Sequence, residues 1–195
     1  MNHGTLNDDV SAGMDGAARV TVQRLDAFTD NDRAVLRALS HAVYPPDAGG
    51  EWSGRHLEWA TPTWCVCVQA PDGTLASFVG IVLRQATCDG APVRVGGIGG
   101  VMTHPALRRR GFAGLGMRRA VEFFHAQEDV AFGLLVCDLH RLGYYGSLGW
   151  QEFTGEVHVL QHGQPALFTY NRVMTIGVKS PAPLAGSIDL LGPPW

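Results

Sequence analysis

The chain has 195 residues, 46% hydrophobic and 17% charged. That supplies enough apolar surface for one core and excludes a mainly disordered chain, which needs high net charge and few apolar side chains. The formal net charge of -3, from 15 Lys and Arg against 18 Asp and Glu, removes any global case for a nucleic-acid binder. Lys179 is the single lysine, so a local arginine cluster is easily hidden in that total. Residues 1–17 are rich in Gly, Asn, Asp and Ser without period and read as a flexible tail. ARVTVQRL (18–25) alternates polar and apolar residues and predicts a first strand. In the helical run from Asp30, Val35, Leu36, Leu39, Ala42 and Val43 recur at helical spacing, with Asp30 or Asn31 available as cap. A break over 45–62 carries Glu51, Trp52, Leu57 and Trp59, in the manner of a binding loop or a packed connection.

Residues 63–105 then read as strand, turn, strand, turn, strand, joined by Pro-Asp-Gly and Asp-Gly, which predicts an antiparallel meander. After Gly111 the period changes: Leu115, Ala120, Val121 and Phe124 form a helical stripe, and the apolar run 131–137 follows. Strand, crossover helix and strand predict a parallel pair. A short helix over 141–148, two late strands pairing as a final hairpin, and a Pro- and Gly-rich tail ending in Trp195 complete the chain. The expected fold is a single mixed α/β (α+β) domain over 18–180, with an apolar tail over 181–195 packing back on the domain.

Cys65, Cys67, Cys88 and Cys137 match neither a redox pair nor a zinc site, so buried reduced thiols and no metal are expected. No apolar run reaches the roughly 20 residues of a membrane span, and the N-terminus lacks a signal-peptide core. A cytoplasmic protein with no membrane and no nucleic-acid partner is the expectation.

The sharpest signal is the glycine–arginine turn. A strand ends near Thr103, and Arg108, Arg109 and Arg110 precede Gly111, which opens a helix containing Phe112, Ala113 and Gly114. Free N–H groups at a helix start attract anions, glycine lets a backbone approach, and arginine forks suit phosphate oxygens. A diphosphate is the natural guest; the competing reading is a solvated basic loop. There is no Gly-Lys-Ser/Thr of a P-loop, and the preceding antiparallel strands do not suit a dinucleotide fold.

Arg108-x-x-Gly111-x-Ala113, after the V-M-T-H-P strand end, resembles the Q/R-x-x-G-x-G/A motif of the GNAT acyltransferase superfamily. Tyr145-Gly-Ser-Leu-Gly-Trp150 resembles that family's second landmark. The resemblance spans roughly 19–175. It implies an N-acyltransferase that moves an acetyl or other acyl group from coenzyme A to a primary amine of a small molecule. It implies an acetyl-CoA diphosphate at Arg108–Gly114, a pantetheine arm along Val101, Met102 and Thr103 beside a splayed strand, and a carbonyl oxygen near the N–H of Val101 or Met102. Tyr145 would be the general acid, favoured over Tyr144 by motif position.

Within the superfamily the nearest likeness is to aminoglycoside 2′-N-acetyltransferases, more weakly to the nodulation acyltransferase, so an amino sugar is the narrower acceptor. The aminoglycoside enzymes carry a Glu two residues before the Val that matches Val101; here that place is Gly99. Replacement bases are Asp138, His140, His104, a water chain, or Asp189 with the C-terminal carboxylate of Trp195; Asp138 is also a candidate N-cap. The smooth run Gly96–Gly100 reads as room beside the thioester for a bulky acceptor or a longer acyl chain. An acyl-CoA-binding or regulatory module of the same fold is the alternative function. A homodimer is common in the fold, and the residue pattern leaves it open.

Overall fold

The computed structural model describes residues 17–45 and 53–195. The expected tail over 1–17 therefore falls almost wholly outside the described residues, as do Glu51 and Trp52. The first alternating run becomes strand β1, Arg19–Arg24. Helix α1, Asp30–Val43, starts one residue earlier than the acidic cap candidates suggest. Thr29 is its N-cap: the hydroxyl accepts from the Asp32 N–H at 3.2 Å, and the Asp32 carboxylate accepts from the Thr29 N–H at 2.9 Å. This reciprocal box satisfies two otherwise free donors and outcompetes a cap at Asp30 or Asn31.

The meander forms as the turn residues direct: β2, Trp64–Gln69; β3, Leu75–Cys88; β4, Ala91–Thr103, all antiparallel. Helix α2, Phe112–Ala126, crosses over to β5, Val130–Cys137, which pairs parallel with β4. One turn of 3-10 helix over Leu139–Arg141 leads into the short helix α3, Leu142–Gly146.

The late chain departs from a simple hairpin. It breaks into β6, Gln151–Phe153; β7, Glu156–Gln161; β8, Gln164–Leu167; and β9, Arg172–Gly177. β6 and β5 both pair antiparallel with β9, while β7 and β8 form the hairpin. The physical reason is Gly155, where an added Cβ would lie 2.1 Å from the Gly186 carbonyl oxygen, so the returning tail crosses there and divides the first late strand. The tail contributes β10, Ser187–Asp189, seated between β3 and β7. Among the described residues the ten strands make one sheet in the order β6-β9-β5-β4-β3-β10-β7-β8, with β2 beside β3 and β1 beside β2.

The strand period of two sorts side chains to opposite faces. Val66, Val68, Ile81 and Ile98 pack with Met117, Ala120 and Phe124 of α2. On the other face, Cys65, Cys67, Phe78 and Met102 pack under α1, and Val82, Val95 and Leu134 pack with Ile188, Leu190 and Trp195 of the tail. All four cysteines are free, and three are buried. No helix among the described residues is long and apolar enough to cross a membrane.

Candidate functional site

The strands β4 and β5 are hydrogen-bonded partners only from Arg94↔Val130 to Ile98↔Leu135. Both continue past that point with other partners: β4 stays on β3 as far as Thr103, and β5 stays on β9 as far as Cys137. A V-shaped gap therefore opens between Gly99–Thr103 and the end of β5. A β-bulge marks the divergence, with the β3–β4 register slipping between Phe78 and Gly80. Gly100 there takes φ 61°, which a side chain disfavours, and a bulge of this kind bends its strand. Buried Ser77 braces the bent segment by donating from its hydroxyl to the Met102 carbonyl at 2.8 Å. Sequence reasoning missed Ser77; the signal was a lone hydroxyl within the apolar run of β3.

The glycines before the gap do not leave empty space. An added Cβ at Gly96 would come within 2.6 Å of the Phe124 ring. At Gly97 it would come within 2.1 Å of the Trp195 indole, and at Gly99 within 2.8 Å of the Trp195 main-chain carboxyl carbon. The expectation of room along Gly96–Gly100 for a bulky acceptor or a long acyl chain is thus corrected for three of its glycines. Phe124 occupies one face, and Trp195 occupies the other. The indole N–H donates to the Leu134 carbonyl at 3.0 Å, near the apex of the gap, and the Arg84 guanidinium lies 5.1 Å from the ring centre.

At the far end of β4, a 3-10 turn over Pro105–Leu107 and the exposed Arg108, Arg109 and Arg110 lead to Gly111. Gly111 is the N-cap of α2 at φ 85°; no side chain caps the helix there, and a Cβ would meet nothing within 4 Å. The first-turn N–H groups of a helix lack intrahelical partners, so this end is open and electropositive. Phe112 and Gly114 are buried, Ala113 is half-buried, and Arg110 lies over the Phe112 ring at 5.7 Å.

Tyr145 is buried in α3. Burial raises its phenol pKa, and the Cys137 thiol and Tyr144 raise it further. Cys137 ends β5, so Tyr145 sits beside the β5 wall of the gap. Tyr144 packs edge-on to it at 5.0 Å and is partly exposed.

Asp138 follows β5 directly and is exposed, 4.0 Å from His140 Nε2. It occupies the N-cap position of the 3-10 turn without making a side-chain cap bond. His104 is half-buried with Nδ1 lacking a hydrogen-bond partner. Val101–Thr103 and Arg108–Gly114 thus lie along and just beyond the end of β4, and Asp138 and Tyr145 just beyond the end of β5, on the two sides of the gap. The chain does not bring Asp189 there. Asp189 pairs with Thr87, whereas the bulge lies at Gly80, roughly 23 Å away along β3 at about 3.3 Å per residue. Its Oδ1 accepts from the Leu191 N–H at 2.9 Å. Trp59 also lies elsewhere, packed edge-on against Phe168 and Tyr170 with its N–H on the Gly54 carbonyl. Among the described residues no group of three His, Cys, Asp or Glu side chains is placed to hold a metal.

A family profile described as an acetyltransferase (GNAT) domain matches residues 26–153. No curated protein matches in sequence. Solved structures share the fold at low identity. A GNAT family N-acetyltransferase (YhbS) from Escherichia coli, in complex with CoA, aligns with TM-score 0.57 and 13% identity over 92% of this chain and 93% of that one. An acyl-CoA N-acyltransferase from Pseudomonas aeruginosa gives 0.56 and 17% over 82% and 99%. A GNAT family acetyltransferase from Brucella melitensis, in complex with acetyl-CoA, gives 0.52 and 17% over 87% and 94%.

Proposed function

The chain belongs to the GNAT acetyltransferase family, and from that premise we propose that it is an N-acyltransferase moving an acetyl or other acyl group from coenzyme A to a primary amine of a small molecule. One observation carries the proposal: the β4–β5 ladder stops at Ile98↔Leu135 while both strands run on. The residues present fit an acyl-CoA. The gap leaves backbone groups of Val101 and Thr103 without a β5 partner, for an extended amide-bearing arm to pair with, while the Met102 carbonyl is held by Ser77 on the β3 side. The uncapped N–H groups of Gly111, Phe112, Ala113 and Gly114, with Arg108, Arg109 and Arg110, would hold the diphosphate. The bound thioester supplies an activated carbonyl and a thiolate leaving group.

Tyr145 holds a proton on Oη, and its raised pKa keeps that proton in place at neutral pH, ready for the departing sulfur. A main-chain N–H at Val101 or Met102 steadies the carbonyl oxygen. Asp138 is the proton acceptor we assign to the amine, at the mouth of the gap beside Cys137. Gly99 supplies no carboxylate, but the main-chain carboxyl carbon of Trp195 lies 2.8 Å from where a Gly99 Cβ would stand, so the Trp195 carboxylate is the second acceptor we assign. An amino-sugar or aminoglycoside acceptor is the narrower case by sequence likeness alone, with no carboxylate at Gly99 to meet its ammonium groups.

The absence of a side chain at Gly99 favours a second reading, an acyl-CoA-binding module without turnover. Thiol release from acetyl-CoA over a panel of amino acids, polyamines and aminoglycosides separates the two. Turnover that falls about 10²–10⁴-fold in Tyr145→Phe, with acetyl-CoA binding retained, supports the enzyme. Binding without turnover in either form supports the module.

A further inference from the structure

A cleft of about 380 Å³ lies between α1 and the bulged end of β4, lined by Leu25, Phe28, Arg33, Leu36, Arg37, Ser40 and Met102. Its volume is that of a small-molecule site. We infer that this cleft receives a carboxylate of the acceptor, so that the acceptor is an amine with an acid group and a short apolar body, such as an apolar α-amino acid. The inference deepens the acyltransferase reading and rests on it.

Leu25, Phe28, Leu36 and Met102 give the cleft an apolar surface. Arg33, Arg37 and Ser40, spaced by four and three, share one face of α1 and present polar groups together. Arg33 Nη2 donates to the Leu25 carbonyl at 3.3 Å, which steadies the guanidinium and leaves its other donors free. Among the described residues neither arginine has a carboxylate partner, and no carboxylate lines the cleft. The Asp32 carboxylate accepts from the Thr29 N–H and hydroxyl at 2.9 and 2.7 Å, and so belongs to the helix cap. Two unpaired guanidinium groups beside an apolar surface suit a carboxylate carried on a hydrocarbon, and repel a polycation.

The cleft adjoins the proposed chemistry. Met102, on its wall, follows the Val101 main chain that faces the gap. At the C-terminus of α1, Tyr44 lies close enough to Tyr145 to add slightly to the rise in its pKa. An acid group held at Arg33 and Arg37 would leave the amine of the same small molecule directed toward β4.

The test uses the full chain with acetyl-CoA and thiol release as readout. L-leucine, L-methionine and L-phenylalanine are each compared with their carboxamides and with an aminoglycoside, and acetyl-CoA binding is measured separately by calorimetry. The free acids should exceed their carboxamides in kcat/KM by at least about 10-fold. Arg33→Gln and Arg37→Gln should each raise KM for the acids by about 10-fold or more and narrow the acid-to-amide ratio, with Arg37→Lys in between. A protein that binds acetyl-CoA but turns over no acid, or uses amides or aminoglycosides as well as acids, overturns the inference and leaves acyl-CoA binding standing. So do arginine variants that leave the acid-to-amide ratio unchanged. A protein that binds no acetyl-CoA removes both readings.

Discussion

Gly97→Ala places a methyl carbon where the Trp195 indole lies, 2.1 Å from Cε2, 2.5 Å from Cδ2 and 2.6 Å from Cζ2. The indole is rigid, so no side-chain rotation of its own relieves all three contacts. It must retreat by more than 1 Å to reach ordinary van der Waals separation of about 3.5–4.0 Å. That retreat pulls the N–H from the Leu134 carbonyl, now 3.0 Å away. Overpacking costs about 1–3 kcal/mol and the lost hydrogen bond about 1 kcal/mol, giving about 2–4 kcal/mol in all. For a chain of this length that lowers Tm by about 4–16 °C. Thermal and urea unfolding of Gly97→Ala, Trp195→Ala and the double variant form a cycle. Trp195→Ala alone should cost about 3–5 kcal/mol. In that background Gly97→Ala should cost under about 0.5 kcal/mol, because the methyl then enters the vacated space. An equal cost in both backgrounds would refute the account of the glycine run as a seat for the tail.

Thr29→Ala removes one half of the α1 capping box and should cost about 1 kcal/mol in chemical denaturation, while Asp30→Ala, outside the box, should cost less. Gly111→Ala puts a side chain at φ 85° in open space, so it should cost about 1–2 kcal/mol through backbone strain, and should weaken acetyl-CoA binding in calorimetry beyond that loss. Tyr145 must be protonated to serve as the acid, and burial raises its pKa, so the alkaline limb of kcat should lie above the ordinary phenol value of about 10. The same shift is linked to stability: the Tyr145 contribution is constant below about pH 10 and is lost as pH rises above it, because the unfolded phenol ionises first. Following Tm across pH 8–11 in wild type and Tyr145→Phe reads that difference.

Much of the frame was legible in the residues. The alternation in β1, the Pro-Asp-Gly and Asp-Gly turns of the meander, and the change of period after Gly111 are local signals, and each produced its element. The basic turn before Gly111 was legible because arginine, glycine and a helix start together have few structural uses. What the chain did not disclose depends on distant contacts. Gly96, Gly97 and Gly99 look alike in sequence, yet their meaning is set by Phe124 on one face and Trp195 on the other. Gly155 divides a strand because Gly186 crosses it. Asp189 and Trp195 are close in sequence, but β10 runs along the far end of β3, so only the tryptophan returns to the gap. Arg33 and Arg37 carry no signal of their own in the helical run; only Met102 and Phe28, distant in sequence, close a cleft beside them.

Amide hydrogen exchange with and without acetyl-CoA probes the central claim at the residues that carry it. Ligand-dependent protection concentrated in Gly99–Thr103 and Gly111–Gly114 is the predicted pattern. Saturating acetyl-CoA that leaves both segments exchanging as in the free protein would contradict it.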